Sequence, residues 1–64
     1  MTVYKTLATE ARHGVTVTAW EAWEKFDRLP HYEITVARGP ICSEVIPTAR
    51  TTWRKKYNEI VKEF

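Results

Sequence analysis

The sequence predicts a small α+β domain, an antiparallel sheet with two helices on one face in the order ββαββα. Three observations predict it. Trp53, Tyr57, Ile60, Val61 and Phe64 fall at i, i+4, i+7, i+8 and i+11, which places all five on one stripe of a helix. Tyr32, Ile34 and Val36 alternate with Glu33, Thr35 and Ala37, the pattern of a strand with one apolar and one wet face. Thr18-Ala19-Trp20-Glu21 has the form of a capping box, in which the threonine hydroxyl accepts from the N3 amide and the glutamate reaches back to the cap. The 64 residues are expected to form a single domain, 1–64, of the size that buries only about 60% of its unfolded surface.

The elements follow in order. Val3 to Arg12 fits two patterns. As a strand, Val3, Lys5 and Leu7 alternate with Tyr4, Thr6 and Ala8; as a helix, Tyr4, Leu7, Ala8 and Ala11 have i, i+3, i+4, i+7 spacing and Gly14 would be the C′ glycine. The strand is the favoured reading, because Thr and Val surround His13-Gly14. A two-residue turn there would fold Val15-Thr16-Val17 back antiparallel. From the capping box a helix of about ten residues is expected, ending before Pro30 because the residue before a proline is pushed out of the helical region. Ala19, Ala22, Trp23 and Phe26 would share its inner face. Trp20 would stand on the shoulder with Glu24 and Asp27 at i+4 and i+7.

Tyr32–Ala37 is the clearest strand. Arg38-Gly39-Pro40 reads as a turn, and Ile41–Ile46 as a further strand ended by Pro47. Thr48 is the expected N-cap of the terminal helix. The alternative fold is a helix-turn-helix start over residues 6–26, a β-hairpin wing and a C-terminal helix, although Glu10 stands where that motif expects an alanine.

Charge is uneven. The net +2 divides into +1 over residues 1–18, −2 over residues 19–44 and +3 over residues 45–64, where Arg50, Arg54, Lys55, Lys56 and Lys62 outnumber Glu59 and Glu63. A single cysteine, Cys42, excludes an internal disulfide and points to a reducing compartment. With no apolar run near 20 residues and no signal-peptide pattern, a cytoplasmic protein without membrane contact is expected.

Few residues suggest catalysis. Cys42 suits a small core residue, and His13 and His31 have no partner at a recognised metal or triad spacing. Glu21 and Glu24 would stabilise the N-terminus of their helix. Two glycines do not make a phosphate loop. No enzymatic activity, cofactor, metal or small-molecule substrate is therefore expected.

Two binding classes remain. Trp20, Glu24 and Asp27 would form an aromatic and acidic strip suited to a protein partner, since Trp is enriched at interface hot spots; the competing reading of Trp20 is a core residue closing the end of the sheet. Arg50, Arg54, Lys55, Lys56 and Lys62 are the candidates for nucleic-acid contact. Consecutive helical residues diverge by 100°, so these cations fan around the helix and any such binding should be weak.

The run Thr18-Ala19-Trp20-Glu21-Ala22-Trp23-Glu24, with Leu29-Pro30 and Tyr32-Glu33-Ile34-Thr35-Val36-Ala37-Arg38-Gly39-Pro40, resembles the helix-then-strand segment of small early phage proteins that inhibit bacterial RNA polymerase. The resemblance spans about a third of the chain. It implies a non-enzymatic inhibitor or modulator of a host enzyme and assigns no individual binding residue. The expected function is thus a non-catalytic macromolecule-binding protein of that kind, with a small DNA-binding regulator of winged-helix or helix-turn-helix type as the alternative.

Overall fold

A computed structural model describes residues 2–24, 28–40 and 42–64. Four strands form one antiparallel sheet in sequential order: β1 (Thr2–Arg12), β2 (Val15–Glu24), β3 (His31–Arg38) and β4 (Cys42–Thr48). One helix, α1 (Trp53–Lys62), follows and lies on β2 and β3.

The first hairpin forms at His13-Gly14, as the Thr- and Val-rich flanks predict. His13 and Gly14 have φ of 52° and 78°, the pair of positive angles that a two-residue type I′ turn demands. Arg12 then opposes Val15, and pairing runs to Thr2 opposite Glu24. The register slips between Thr6 and Ala8, so Leu7 is the extra residue of a β-bulge, and neighbours Leu7 and Ala8 both reach the core.

The expected first helix is not there. Residues 18–24 continue β2, which is hydrogen-bonded on both sides, to β1 and to β3. The reason is non-local. An 11-residue first strand needs a partner of matching length, and a helix starting at Ala19 would strip Thr2–Thr6 and Ala8 of their ladder. Trp20 and Trp23 are also good strand residues. An isolated ten-residue helix, by contrast, is marginal whatever its cap. Neither the ββαββα order nor the helix-turn-helix alternative is found: over the described residues the chain is ββββα, with a single helix on the sheet. The places expected of Phe26 and Asp27, and of the Cys42 side chain, lie outside the described residues.

The second half follows the sequence reading more closely. The alternating segment is β3, and Gly39, at φ 69°, turns the chain into β4. Pro47 does not end β4 but pairs opposite Glu33 within it. That position is tolerated because β4 is an edge strand with no ladder partner on its outer side. Thr48 accordingly belongs to the sheet and caps nothing; its hydroxyl is buried without a partner among the described residues. The N-cap is Thr52. Its hydroxyl turns back to accept from the Ala49 amide at 3.3 Å and makes no capping bond, while the Trp53 amide donates to the Ala49 carbonyl at 2.9 Å.

Directly paired residues share a sheet face, so register assigns the two sides. The row Ala8–Ala19–Ile34–Ile46 and its neighbours Val17 and Val36 face the helix. Tyr57, Ile60 and Val61 close on them, with Trp53 and Phe64 packed at the margin. The terminal stripe thus docks as its spacing predicts. The helix C-terminus is also tied to the first turn, His13 Nδ1 lying 2.6 Å from the Phe64 carbonyl oxygen. Arg38 stacks its guanidinium 5.2 Å from the Phe64 ring centroid.

Candidate functional site

The opposite face of the sheet has no helix over it among the described residues. Register places Tyr4, Thr6, Thr9, Thr16, Thr18, Trp20, Ala22, Glu24, His31, Glu33, Thr35, Ala37, Val45 and Pro47 on that side. Threonine predominates, as befits a strand surface meeting water. The exception is an aromatic corner at its centre.

Trp20 anchors that corner. Its indole Nε1–H donates to Thr35 Oγ1 at 2.9 Å across the β2–β3 ladder. The Thr35 hydroxyl donates in turn towards the Thr18 carbonyl at 3.5 Å, and the Thr18 and Thr9 hydroxyls meet at 3.0 Å. This chain of threonines holds the indole in one orientation. From β1, Tyr4 pairs with the indole in a T-shaped arrangement, with centroids 6.0 Å apart and ring planes at 76°, a favoured geometry for an aromatic pair. Tyr4 remains 54% exposed and Val45 59% exposed, large values for residues beside a half-buried Trp. Between them runs an open groove of about 440 Å³ lined by Tyr4, Trp20, Glu33, Thr35, Ala37 and Val45.

Electrically this face is one-sided. Its described strand residues include Glu24 and Glu33 and no lysine or arginine. Glu33 stands directly opposite Trp20, and its Oε1 lies 3.1 Å from His31 Nε2. Glu24 is exposed near the end of the sheet and accepts from the Thr2 hydroxyl at 3.3 Å. Trp20 and Glu24, expected to share a helix shoulder, therefore share a face of β2 instead. Both spacings bring i and i+4 to one side, by one helical turn or by two strand repeats. Asp27, the third member of that strip, lies outside the described residues.

The cations lie elsewhere. Arg54, Lys55, Lys56 and Lys62 are exposed on α1, across the sheet from the aromatic corner. They do not all diverge: Arg54, Lys55 and Lys62 line one shallow groove with Asn58 and Glu59, while Lys56 faces a neighbouring one. The Arg54 guanidinium lies 4.8 Å from the Trp53 ring centroid, so part of its surface already covers the apolar stripe. Neither Lys55 nor Lys62 forms an ion pair with Glu59 among the described residues. Arg50 does not join this group; it borders a second cavity, of about 280 Å³, with Glu21, Trp23, Leu29, Pro30 and Tyr32.

That second cavity lies on the helix side of the sheet, beyond the end of the helix. Both oxygens of Glu21 are engaged there: Trp23 Nε1–H donates to one at 2.6 Å and the Tyr32 hydroxyl to the other at 2.9 Å. These bonds, the Trp23 one foremost, hold the Glu21 carboxyl below the usual carboxylate range, with Lys5 and Arg50 adding to the effect. The bond from its own hydroxyl to Glu21 is the main cause that raises the Tyr32 phenol. A depressed folded-state carboxyl contributes stability above its unfolded pKa, and that contribution is lost as pH falls through the folded value. Acid unfolding of Glu21→Gln should therefore show a shallower loss of stability below the ordinary carboxylate range than the parent chain, read as the pH dependence of the urea midpoint. Parallel acid limbs would show that the two bonds do not act on the folding equilibrium.

The sequence alone pointed to Trp20 and Glu24 but missed Tyr4, Glu33, Thr35, Ala37 and Val45. These come from three other strands; the alternation of Tyr32, Ile34 and Val36 with Glu33, Thr35 and Ala37 puts three of them on one wet face, but no local signal joins that face to Trp20, Tyr4 or Val45. No helix among the described residues is long and apolar enough to cross a membrane. Comparison with protein-family models, with curated proteins and with solved structures finds no match for this chain.

Proposed function

We propose that the protein is a non-catalytic binding module that grips a protein partner through the helix-free face of its sheet. The observation that carries this reading is the Tyr4–Trp20 corner. It is a rigid, partly exposed aromatic pair centred on a face that bears carboxylates and no described lysine or arginine. Aromatic anchors with few rotatable bonds make effective interface centres, and the missing cations weigh against a phosphate backbone on this side. The resemblance of parts of residues 18–40 to small early phage inhibitors of bacterial RNA polymerase is one of sequence alone, since residues 18–24 are strand and not helix; from it we take the biological form of the reading, a phage-encoded modulator of a host enzyme that acts by occupying a surface.

A second reading has its own observation in its favour. Arg54, Lys55 and Lys62 share one groove on the outer side of α1, a placement suited to a few phosphates. Three such contacts would lose about 40-fold in affinity between 50 and 200 mM salt, taking a slope of about −0.9 per phosphate.

Capture from a bacterial lysate separates the two when variants of each surface are compared. The protein-binding reading expects a partner retained after nuclease treatment, lost with Trp20→Ala and kept by the double variant Lys55→Glu, Lys62→Glu. Retention that disappears with nuclease, or with the lysine variant alone, would transfer the function to the helix and to nucleic acid.

A further inference from the structure

Resting on the protein-binding reading, we propose that the groove beside Tyr4 and Trp20 receives an arginine side chain of the partner, stacked on the aromatic corner and neutralised by Glu33. Three features of the groove select that chemistry over a purely apolar side chain.

The first is the shape of the aromatic surface. Two rings 6.0 Å apart with planes 76° apart form two walls meeting at an angle. Cations are attracted to the faces of such rings, Trp most strongly, and a planar guanidinium stacks on them as an ammonium does not. The corner is also prepared in advance. Thr35 fixes the Trp20 indole through a 2.9 Å bond, so little rotamer freedom is lost when the site fills.

The second is the position of the carboxylate. Glu33 is the direct cross-strand neighbour of Trp20 and lines the same groove, so a group lying on the indole is within reach of it. Its Oε1 faces His31, whereas Oε2 has no hydrogen-bond partner among the described residues and remains available to a donor. The side chain of Glu33 is 21% exposed. A bond to a charged donor made there would be stronger than one in open water.

The third is the surrounding field. No described lysine or arginine shares this face, and Glu24 adds a second carboxylate along β2. The cations of α1 lie across the sheet. An incoming arginine would meet attraction from both acids. An acidic side chain would meet repulsion, and an aliphatic one would leave Glu33 Oε2 unanswered as it lost water.

The test is an NMR titration of the intact protein with acetyl-Gly-Arg-Gly-amide and with its citrulline analogue, which has nearly the same shape and no charge. The Trp20 indole N–H is assigned by its disappearance in Trp20→Phe. The arginine peptide should shift the Trp20 indole and the Glu33 and Thr35 amides along one saturable curve, while the Trp23 and Trp53 indoles stay in place. The citrulline peptide should bind at least tenfold more weakly. Glu33→Gln should lose about tenfold for the arginine peptide with its other resonances unmoved, which shows the fold intact. Equal affinity for the two peptides, or shifts centred away from Trp20, would overturn the proposal. That failure is distinguishable from failure of the protein-binding reading. A partner still captured through Trp20 would leave the binding face in place and remove only its preference for arginine, whereas capture indifferent to Trp20→Ala would remove the face itself.

Discussion

Ile34→Ala is expected to cost about 3–5 kcal/mol, the upper part of the range for a buried isoleucine, and to leave a large share of the molecules unfolded at room temperature. Ile34 has no exposed surface and is the largest side chain buried so completely among the described residues. It sits on a central strand beneath the helix, flanked in its row by Ala19 and Ile46. The alanine is already small and cannot close the space, so most of the cavity would persist. A 64-residue domain has little to spare, since a single core of this size supplies about 3–5 kcal/mol in all. Ile60→Ala, on the helix side of the same contact and 8% exposed, should cost less, about 2–3 kcal/mol. Urea unfolding followed by circular dichroism gives both numbers, and the slope with denaturant should stay unchanged if only stability has moved. An Ile60→Ala midpoint equal to that of the parent chain would mean that α1 is not docked on the sheet.

The parts of this fold that were legible in the sequence are those whose cause is local. The Trp53–Phe64 stripe and the alternation from Tyr32 to Ala37 each specify their own buried face, and His13-Gly14 supplies the positive φ angles its turn requires. The stretch 18–24 misled because its local signals are double. Thr18 and Glu21 have capping-box spacing, and Ala19, Ala22 and Trp23 have helical spacing, yet Thr18, Trp20 and Trp23 are also good strand residues. The tie is broken by a partner 14 to 22 residues away: Thr2–Thr6 would have nothing to pair with if β2 stopped at Thr18. The candidate site shows the same division. Trp20 was visible as a large ring outside the apolar stripe. Tyr4 and Glu33 became its neighbours only through register, and a bulge at Leu7 shifts that register by one residue, an offset that composition does not reveal.

Trp20→Ala should lower partner affinity by about 2 kcal/mol or more, roughly 30-fold, while the protein remains folded. The expectation of folding rests on which face the ring occupies. Helix and core lie on the other side of the sheet, so truncation opens no cavity beneath α1. What is lost is one hydrogen bond to Thr35, of about 1 kcal/mol, and one edge-to-face contact with Tyr4, of about 0.5–1.5 kcal/mol. Thr35 keeps its bond towards the Thr18 carbonyl, so no buried donor is left without a partner. The sum stays below the cost of Ile34→Ala, which makes the two variants an internal comparison. Trp20→Phe should recover much of the affinity, because the ring face that meets the partner is retained while the indole N–H is not. Glu24→Lys, altering an exposed charge on the same face, should act chiefly through a slower association rate, with the larger effect at low salt. Measuring stability and affinity on each variant decides the role of the ring. Trp20→Ala unfolding the chain as Ile34→Ala does would make the ring part of the core. Loss of affinity with the urea midpoint lowered by no more than the two lost contacts allow would make it the anchor of the interface.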